Sequence, residues 1–462
     1  MTSSDTTNTL DSVMKYEIAT IKNSKAKTVY YDIQATIHTP KGDLKILYPV
    51  RFDKLKDFVD RYSDVINLSV AVQSGMMAHD IFPHQENLEV TLQLLPLKNE
   101  TAYTRELGKA ILNKRYIARL TGHKGEVVEG NSDMTNSKFM PGNEHITVCT
   151  FQLIDKVVMA LRSKTVGLIA RKVKPMDLIK YCLTEYSKDL GSGDNEKISG
   201  VTIVPGFTEE EREHVIIPHL TRLTTVPRLI NQAVGGMYPT GFSYYLYGDF
   251  WHVFPLFDTT RFAQSDYTLT IINVPKNRLP GIEKTWRLTP TQVIIMSTGE
   301  VQHQDTSIAD RDSLGTATRF VDARKVVEGF GKVEDNKFIT NFADNVTEAS
   351  LNNKDNDPTQ QAVHQEIKVT SAYNLEYTAL AERTGSKMMI TWENSDDSVL
   401  YPGMPVRYMF LVNGKAHQLY GTLLAAETMM TPTNRDPSQK RFGATTTLSC
   451  FMTRDITNRN VQ

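Results

Sequence analysis

The sequence predicts an α+β fold that is mainly β, with two strand-rich barrel regions on either side of an α/β segment. Two-residue alternation of apolar side chains fills the N-terminal part and returns from about residue 365, while the stretch between mixes short apolar runs with helical spacing. These observations divide the chain into a flexible tail at 1–13, a barrel with one helix at 14–125, an α/β insertion at 126–265, strands with a long exposed loop at 266–364, and a second barrel region at 365–462.

The elements follow in order. Met1 to Ser12 is a polar run that reads as a loose tail. Val29, Tyr31, Ile33, Ala35 and Ile37 share one parity, and Leu44, Ile46, Tyr48 and Val50 repeat it after Thr39-Pro40-Lys41-Gly42-Asp43, a half-buried hairpin. Phe52, Leu55, Phe58, Val59, Tyr62, Val65 and Ile66 fit the 3.6-residue period and predict an amphipathic helix. Strands are expected again at Leu88–Leu94 and around Tyr116–Leu120, closing a small barrel near 125. After a polar loop at 129–144, His145–Ile154 reads as a strand. Lys174–Leu190 reads as a helix with Pro175 in its first turn and Gly191 as its stop. Short strands at Val201–Val204 and Val215–Ile217 precede a second helix from Thr225 through Pro227, Ile230 and Ala233.

From Phe242 to Phe257 eight of sixteen residues are aromatic, and Gly248-Asp249 divides them as a hairpin turn would. Both faces of that hairpin must be buried, with Tyr244, Phe250, Trp251 and Phe254 as core or interface anchors. Strands follow at 267–274 and 292–297, then 343–364 is Asn, Asp, Gln and Thr without periodicity, an exposed loop. The alternation 367–377 predicts a strand, and Met388, Ile390 and Trp392 another. Val406–Val412 leads into Asn413-Gly414, a strong hairpin signal.

The chemistry is mostly one of exclusion. With 52 Lys and Arg against 53 Asp and Glu the net charge is −1, so no global field draws nucleic acid or an anionic membrane. Cys149, Cys182 and Cys450 are odd in number and widely spaced, which excludes a disulfide framework and a zinc knuckle and fits a reducing cytoplasm. No run approaches the roughly 18 apolar residues of a membrane helix, and the N-terminus lacks a secretory pattern. Gly329-Phe330-Gly331-Lys332 lacks the spacing and hydroxyl of a phosphate loop. His79 with His84, and His214 with His219, do not line one helix face, so they read as ordinary histidines. No nucleophile elbow and no activated cysteine is visible. The sequence assigns no catalytic, cofactor-binding or metal-binding residue, and predicts no enzyme. Arg162, Lys164, Arg171, Lys172 and Lys174 form a cationic run without an acid, either a solvated face or a patch for an acidic partner or passing nucleic acid.

Three segments carry a resemblance. EHVIIPHLTRLTTVPRLINQAVGGMYPTGFSYYLYGDFWHVFPLF, ITWENSDDSVLYPGMPVRYMFLVNGKAHQLYGTLLAAE, and the N-terminal barrel together resemble the baseplate hub proteins of contractile phage tails, whose fold is shared by the hub part of type VI secretion spikes. The resemblance implies two tail-tube-like barrels per chain with an α/β insertion, assembling as a homotrimeric ring that joins a sixfold tail tube to a threefold central spike and lines the channel for genome ejection. It implies a virion location after assembly in the host cytoplasm. The partners it implies are the tail tube protein, the spike protein and, as a further candidate, the tape-measure protein, with no membrane and no sequence-specific nucleic acid. The alternatives are a tail-associated peptidoglycan hydrolase, or a tail adaptor or tube-terminating ring protein. Trp392, Pro402, Gly403, Asn413 and Gly414 join the aromatic hairpin as candidate core or interface residues.

Overall fold

The computed structural model describes residues 3–22, 30–46, 48–97, 112–121, 146–188, 190, 198–274 and 285–297. It also describes strand segments at 302–305, 318–321, 333–334, 337–338 and 346–349, residues 374, 378, 381–382, and the stretches 385–412, 415–433 and 441–453.

Helix α1 (Ser3–Lys22) comes first, then β1 (Tyr31–Thr39), β2 (Gly42–Ile46), β3 (Tyr48–Asp57), β4 (Val65–Gln73), β5 (Leu88–Pro96), β6 (Leu112–Leu120) and β7 (Ile146–Asp155). An α/β lobe follows, made of α2 (Lys156–Ser163), β8 (Thr165–Val173), α3 (Pro175–Glu185), β9 (Gly200–Ile203), β10 (Arg212–Arg222), α4 (Val226–Ala233), β11 (Phe242–Tyr247) and β12 (Phe250–Pro255). Next are β13 (Thr268–Asn273), β14 (Trp286–Leu288), β15 (Gln292–Ser297) and β16 (Gln302–Asp305). Two small hairpin pairings join β17 (Thr318–Val321) to β20 (Val346–Ala349) and β18 (Val333–Glu334) to β19 (Lys337–Phe338). The last strands are β21 (Gly385–Glu393), β22 (Pro405–Val412), β23 (Lys415–Pro432) and β24 (Phe442–Thr453).

The pairings close on themselves. Among the described residues β1, β5, β6, β7, β4, β3, β23 and β24 form an antiparallel circuit, completed by Tyr31 opposite Phe442 and by the long β23–β24 ladder. A second circuit leaves the same two strands farther along the same edges, through β21 on β24 and through β22, β13 and β15 on β23. The two arms meet at β21. Its first half pairs with β16, and its second half is met by side chains. Ser297 donates to the Thr391 carbonyl at 3.1 Å, Thr285 to Glu393 at 2.8 Å, and the Trp286 indole to Asn394 at 2.9 Å. In the first circuit this closure removes the open edges that would otherwise template foreign strands.

The expected parity is visible in β1, whose Tyr31, Ile33, Ala35 and Ile37 are all buried, and burying each isoleucine contributes roughly 1.5–3 kcal/mol. One core runs through the interiors of both circuits, from Ile33 and Phe151 to Ile271, Val406 and Trp392. A separate core around Leu161, Ile179, Ile230 and Trp251 holds the α/β lobe.

Several expectations give way. Residues 52–66 are not a helix: they are the end of β3, a turn in which Asp57 accepts from the Val59 amide at 3.0 Å, and the start of β4. The N-terminal tail is instead α1, because Leu10, Val13, Met14, Ile18 and Ile21 recur at helical spacing and pack on the outer face of β13, β15 and β22 through Ile272, Ile294 and Met409. Asp11 accepts from the Ala416 amide at 2.8 Å and ties this helix to the start of β23. The expected strand at 367–377 reaches the described residues only at Asn374, which is helical, and the Thr378 hydroxyl donates to the Asn374 carbonyl four residues back. Within 343–364 only Val346–Ala349 is described, and it is a strand rather than loop. The loop 129–144 lies outside the described residues. The circuit of β1 and β5 also crosses the boundary drawn at 125, taking in β7, β23 and β24. Among the described residues no helix is long and apolar enough to cross a membrane.

Candidate functional site: the junction of circuits and lobe

The aromatic hairpin β11–β12 is the layer between the two cores. Its pairing runs from Phe242 opposite Pro255 to Tyr247 opposite Phe250, and Gly248 at φ +62° supplies the left-handed turn residue. Alternation then sends Tyr245 and Phe254 into the circuit core and Tyr244, Leu246, Trp251 and Val253 into the lobe core. This is why both faces of the hairpin are apolar. Toward the circuits, Tyr245 meets Phe58 edge-on with centroids 4.9 Å apart, and Phe254 lies 6.5 Å from the same ring. Toward the lobe, Trp251 packs between Tyr244 at 6.1 Å and Tyr62 at 6.4 Å.

The segment from Asn394 to Gly403 crosses beneath this hairpin, and its sequence explains its course. Asp396 caps a short turn by accepting from the Ser398 amide at 3.2 Å. Gly403 takes φ +66° where a Cβ would stand 2.3 Å from the Phe254 ring, so this turn admits only glycine. The Gly403 carbonyl accepts from the buried Arg261 guanidinium at 2.8 Å.

At the centre lies a buried group of charges. Lys54 and Lys56 share the inward parity of β3 with Phe52, and Lys56 is fully buried. The Lys56 ammonium donates to the Asp397 carbonyl at 2.6 Å and the Leu400 carbonyl at 3.2 Å, and pairs with the Asp397 carboxylate at 3.2 Å. Lys54 bridges Asp397 at 3.1 Å and Asp64 at 3.2 Å. Tyr245 donates to Asp64 at 2.7 Å, and Tyr247 donates to the Ser398 carbonyl at 2.9 Å with its ring 4.9 Å from the Lys56 ammonium. Two cations thus face two carboxylates, Lys56 fully buried and Lys54 and Asp64 half-buried, and at Lys56 an unpaired charge would cost several kcal/mol.

The protonation states follow. Burial alone would raise the Asp397 carboxyl, but Lys54 and Lys56 outweigh it and hold it well below the usual carboxylate range. Burial would lower Lys54, but Asp397 and then Asp64 hold it well above the ordinary lysine value. Burial lowers Lys56, which Asp397 offsets only in part. Burial also pushes the Tyr247 phenol up to about 12.

The sequence-predicted residues fall as follows. Tyr244, Trp251 and Phe254 are buried in the two cores. Phe250 lies in neither core: it is 41% exposed, because it closes the turn at the rim of the hairpin, where its ring sits over Gly200. Trp392 is buried in the second circuit against Trp286, with centroids 5.6 Å apart. Pro402 and Gly403 sit at the junction itself, and both are buried. Asn413 and Gly414 lie outside the described residues, between Val412 and Lys415, which pair with each other. Sequence reasoning missed Lys54, Lys56, Asp64 and Asp397, whose signal is two lysines at strand positions where apolar residues belong.

Within the chain the junction holds the α/β lobe to the strand circuits. Its charges are consumed by one another, and burial pushes the thiols of Cys149 and Cys450 up to about 12 and that of Cys182 to about 11. Among the described residues no three of His, Cys, Asp and Glu gather as metal ligands.

No family model matches the sequence, and no curated protein matches it. The chain is similar to solved structures of tail proteins. One is the tail protein from Neisseria meningitidis MC58, at 11% identity over 91% of this chain and 96% of that one, with a TM-score of 0.45. Another is the 43 kDa tail protein of prophage MuSo2 from Shewanella oneidensis, at 8% identity over 90% and 98%, TM-score 0.45. A third is the E. coli c3393 protein, a component of the type VI secretion system, at 9% identity over 88% and 74%, TM-score 0.37.

Proposed function

We propose that this chain is a structural protein of a phage tail, the baseplate hub, and that it works as a homotrimeric ring joining the sixfold tail tube to the threefold central spike. The observation that carries the reading is the fusion of two strand circuits through β23 and β24. Read as two tube-like barrels, they let three chains present six similar surfaces on one side and three on the other. Closed rotational symmetry then halts growth at a ring. The α/β lobe is the insertion between the barrels, and the junction charges set the angle between lobe and barrels. The ring encloses the channel through which DNA leaves, and its neighbours are the tube protein, the spike and the tape-measure protein. No catalytic turnover belongs to this role.

A reconstruction of the intact tail tests it. Three copies of this chain around the axis, with both circuits facing the tube, are expected. Six copies per ring, or a position off the axial channel, would remove the hub assignment.

A further inference from the structure

The two-stranded ribbon β8–β10 packs one face on the helices of the lobe and turns the other outward. Val166, Val215 and Ile217 belong to the inner face and are buried. The outer face is unusual in carrying an apolar centre. Ile169 and Ile216 are cross-strand partners, yet they are 66% and 59% exposed. Paired isoleucines this open have no structural role in the isolated fold, and nothing among the described residues covers them.

Charge brackets this pair on the same face. Arg171 stands opposite His214 at one end, and Arg222 stands opposite Thr165 at the other. All four are exposed. Of the neighbouring cations, Lys174 is paired with Glu209 at 3.0 Å and Arg212 with Glu210 at 3.3 Å. Among the described residues Arg171 and Arg222 bridge no carboxylate, and the nearby Glu213 has the opposite strand parity. The six-residue step from Thr165 to Arg171 spans about 20 Å at roughly 3.3 Å per residue. The ladder has a bulge between Ile217 and Thr221, where Leu220, at φ +65°, is 66% exposed.

We infer that the outer face of β8–β10 is a docking surface for an acidic polypeptide segment, bound extended, with two aliphatic side chains on Ile169 and Ile216 and carboxylates reaching Arg171 and Arg222. Charge complementarity selects an acidic occupant, since the uncompensated arginines gain only from anions. The aliphatic centre selects polypeptide over nucleic acid, because a phosphodiester backbone has nothing to place on two isoleucines, and the strip offers no Phe, Tyr or Trp for a base to stack on. The inference is independent of the hub reading, because it uses only the ribbon.

Fluorescence anisotropy on the full chain tests it. The probe is a labelled synthetic peptide that alternates serine with Glu, Ile, Val and Glu, so that both aliphatics and both carboxylates fall on one side. Saturable binding is expected, at least tenfold weaker for Ile216→Ser and for Arg171→Glu, and weakened as salt is raised. A peptide with Lys for Glu, and one with Ser for Ile and Val, should each bind at least tenfold less. Both substitutions are at exposed positions, and unchanged melting curves will show that the variants fold. Absence of saturable binding, or binding that neither variant weakens, overturns the proposal. So does a single-stranded DNA oligonucleotide that binds more tightly than the peptide and loses affinity in Arg171→Glu but not in Ile216→Ser, which would make the face a nucleic-acid contact.

Discussion

Asp397 holds two buried lysines from one carboxylate, at 3.1 and 3.2 Å, so its removal leaves more than one charge stranded. Asp397→Asn is expected to cost about 3–5 kcal/mol, read as a lowered midpoint in urea. The pH dependence has a definite sign. Because the folded carboxyl is held below its unfolded value, its contribution is complete above the ordinary carboxylate pKa of about 4 and is lost as pH falls further. Wild type and Asp397→Asn should therefore converge in stability in acid. A gap that stays constant below about pH 4 would show that Asp397 acts through packing alone. Gly403 is the second sensitive residue. Gly403→Ala must place a methyl where Phe254 already stands and hold an alanine at φ +66°, for an expected loss of about 1–3 kcal/mol. Thermal melting checks it, and a variant as stable as the parent would show that this segment can shift.

The hairpin β11–β12 and strand β3 mark the two extremes of what an element discloses in its sequence. The hairpin was legible in extent and turn because eight aromatics and Gly248-Asp249 leave little else for it to be. Its two-faced burial was legible too, though not which core each face would enter. Strand β3 was misread, and the reason is physical. Its inward positions carry Lys54 and Lys56, so the apolar alternation of a strand is broken, and the remaining Phe52, Leu55, Phe58 and Val59 happen to match a helical period. The acid that lets those lysines be buried, Asp397, is far away in the sequence. α1 was missed for a simpler reason, since its first residues are polar and its apolar stripe begins only at Leu10. For the hairpin, Trp251→Ala should cost about 3–5 kcal/mol by emptying the lobe core. Because Tyr245 and Phe254 on the other face are untouched, hydrogen exchange should quicken in α3 and α4 more than in β1 and β5. Equal loosening of both would mean that the two cores melt as one.

For the whole molecule, the expectation of no turnover is open to direct measurement. Purified protein incubated with peptidoglycan should release no more soluble fragments than buffer. Release that a single Asp or Glu substitution abolishes would return the hydrolase reading. The near-zero net charge made such a choice impossible from composition, because 53 acids scattered through a chain hide any catalytic pair. Two strand-rich regions were readable as such, but their fusion was not, since alternation reports which face of a strand is buried and not which strand lies beside it.

That fusion has a consequence for how the chain is made. Tyr31 waits for Phe442, and β3 waits for β23, so neither circuit can close until β23 and β24 have left the ribosome. Until then β1, β3, β13 and β21 exist as unfinished sheets with bare edges, a state that long-range pairing makes slow to leave and prone to sticking. A message cut short before β23 would yield no half-functional barrel. Its product is expected to aggregate, so the arrival of β23 and β24 is the step on which soluble folding turns.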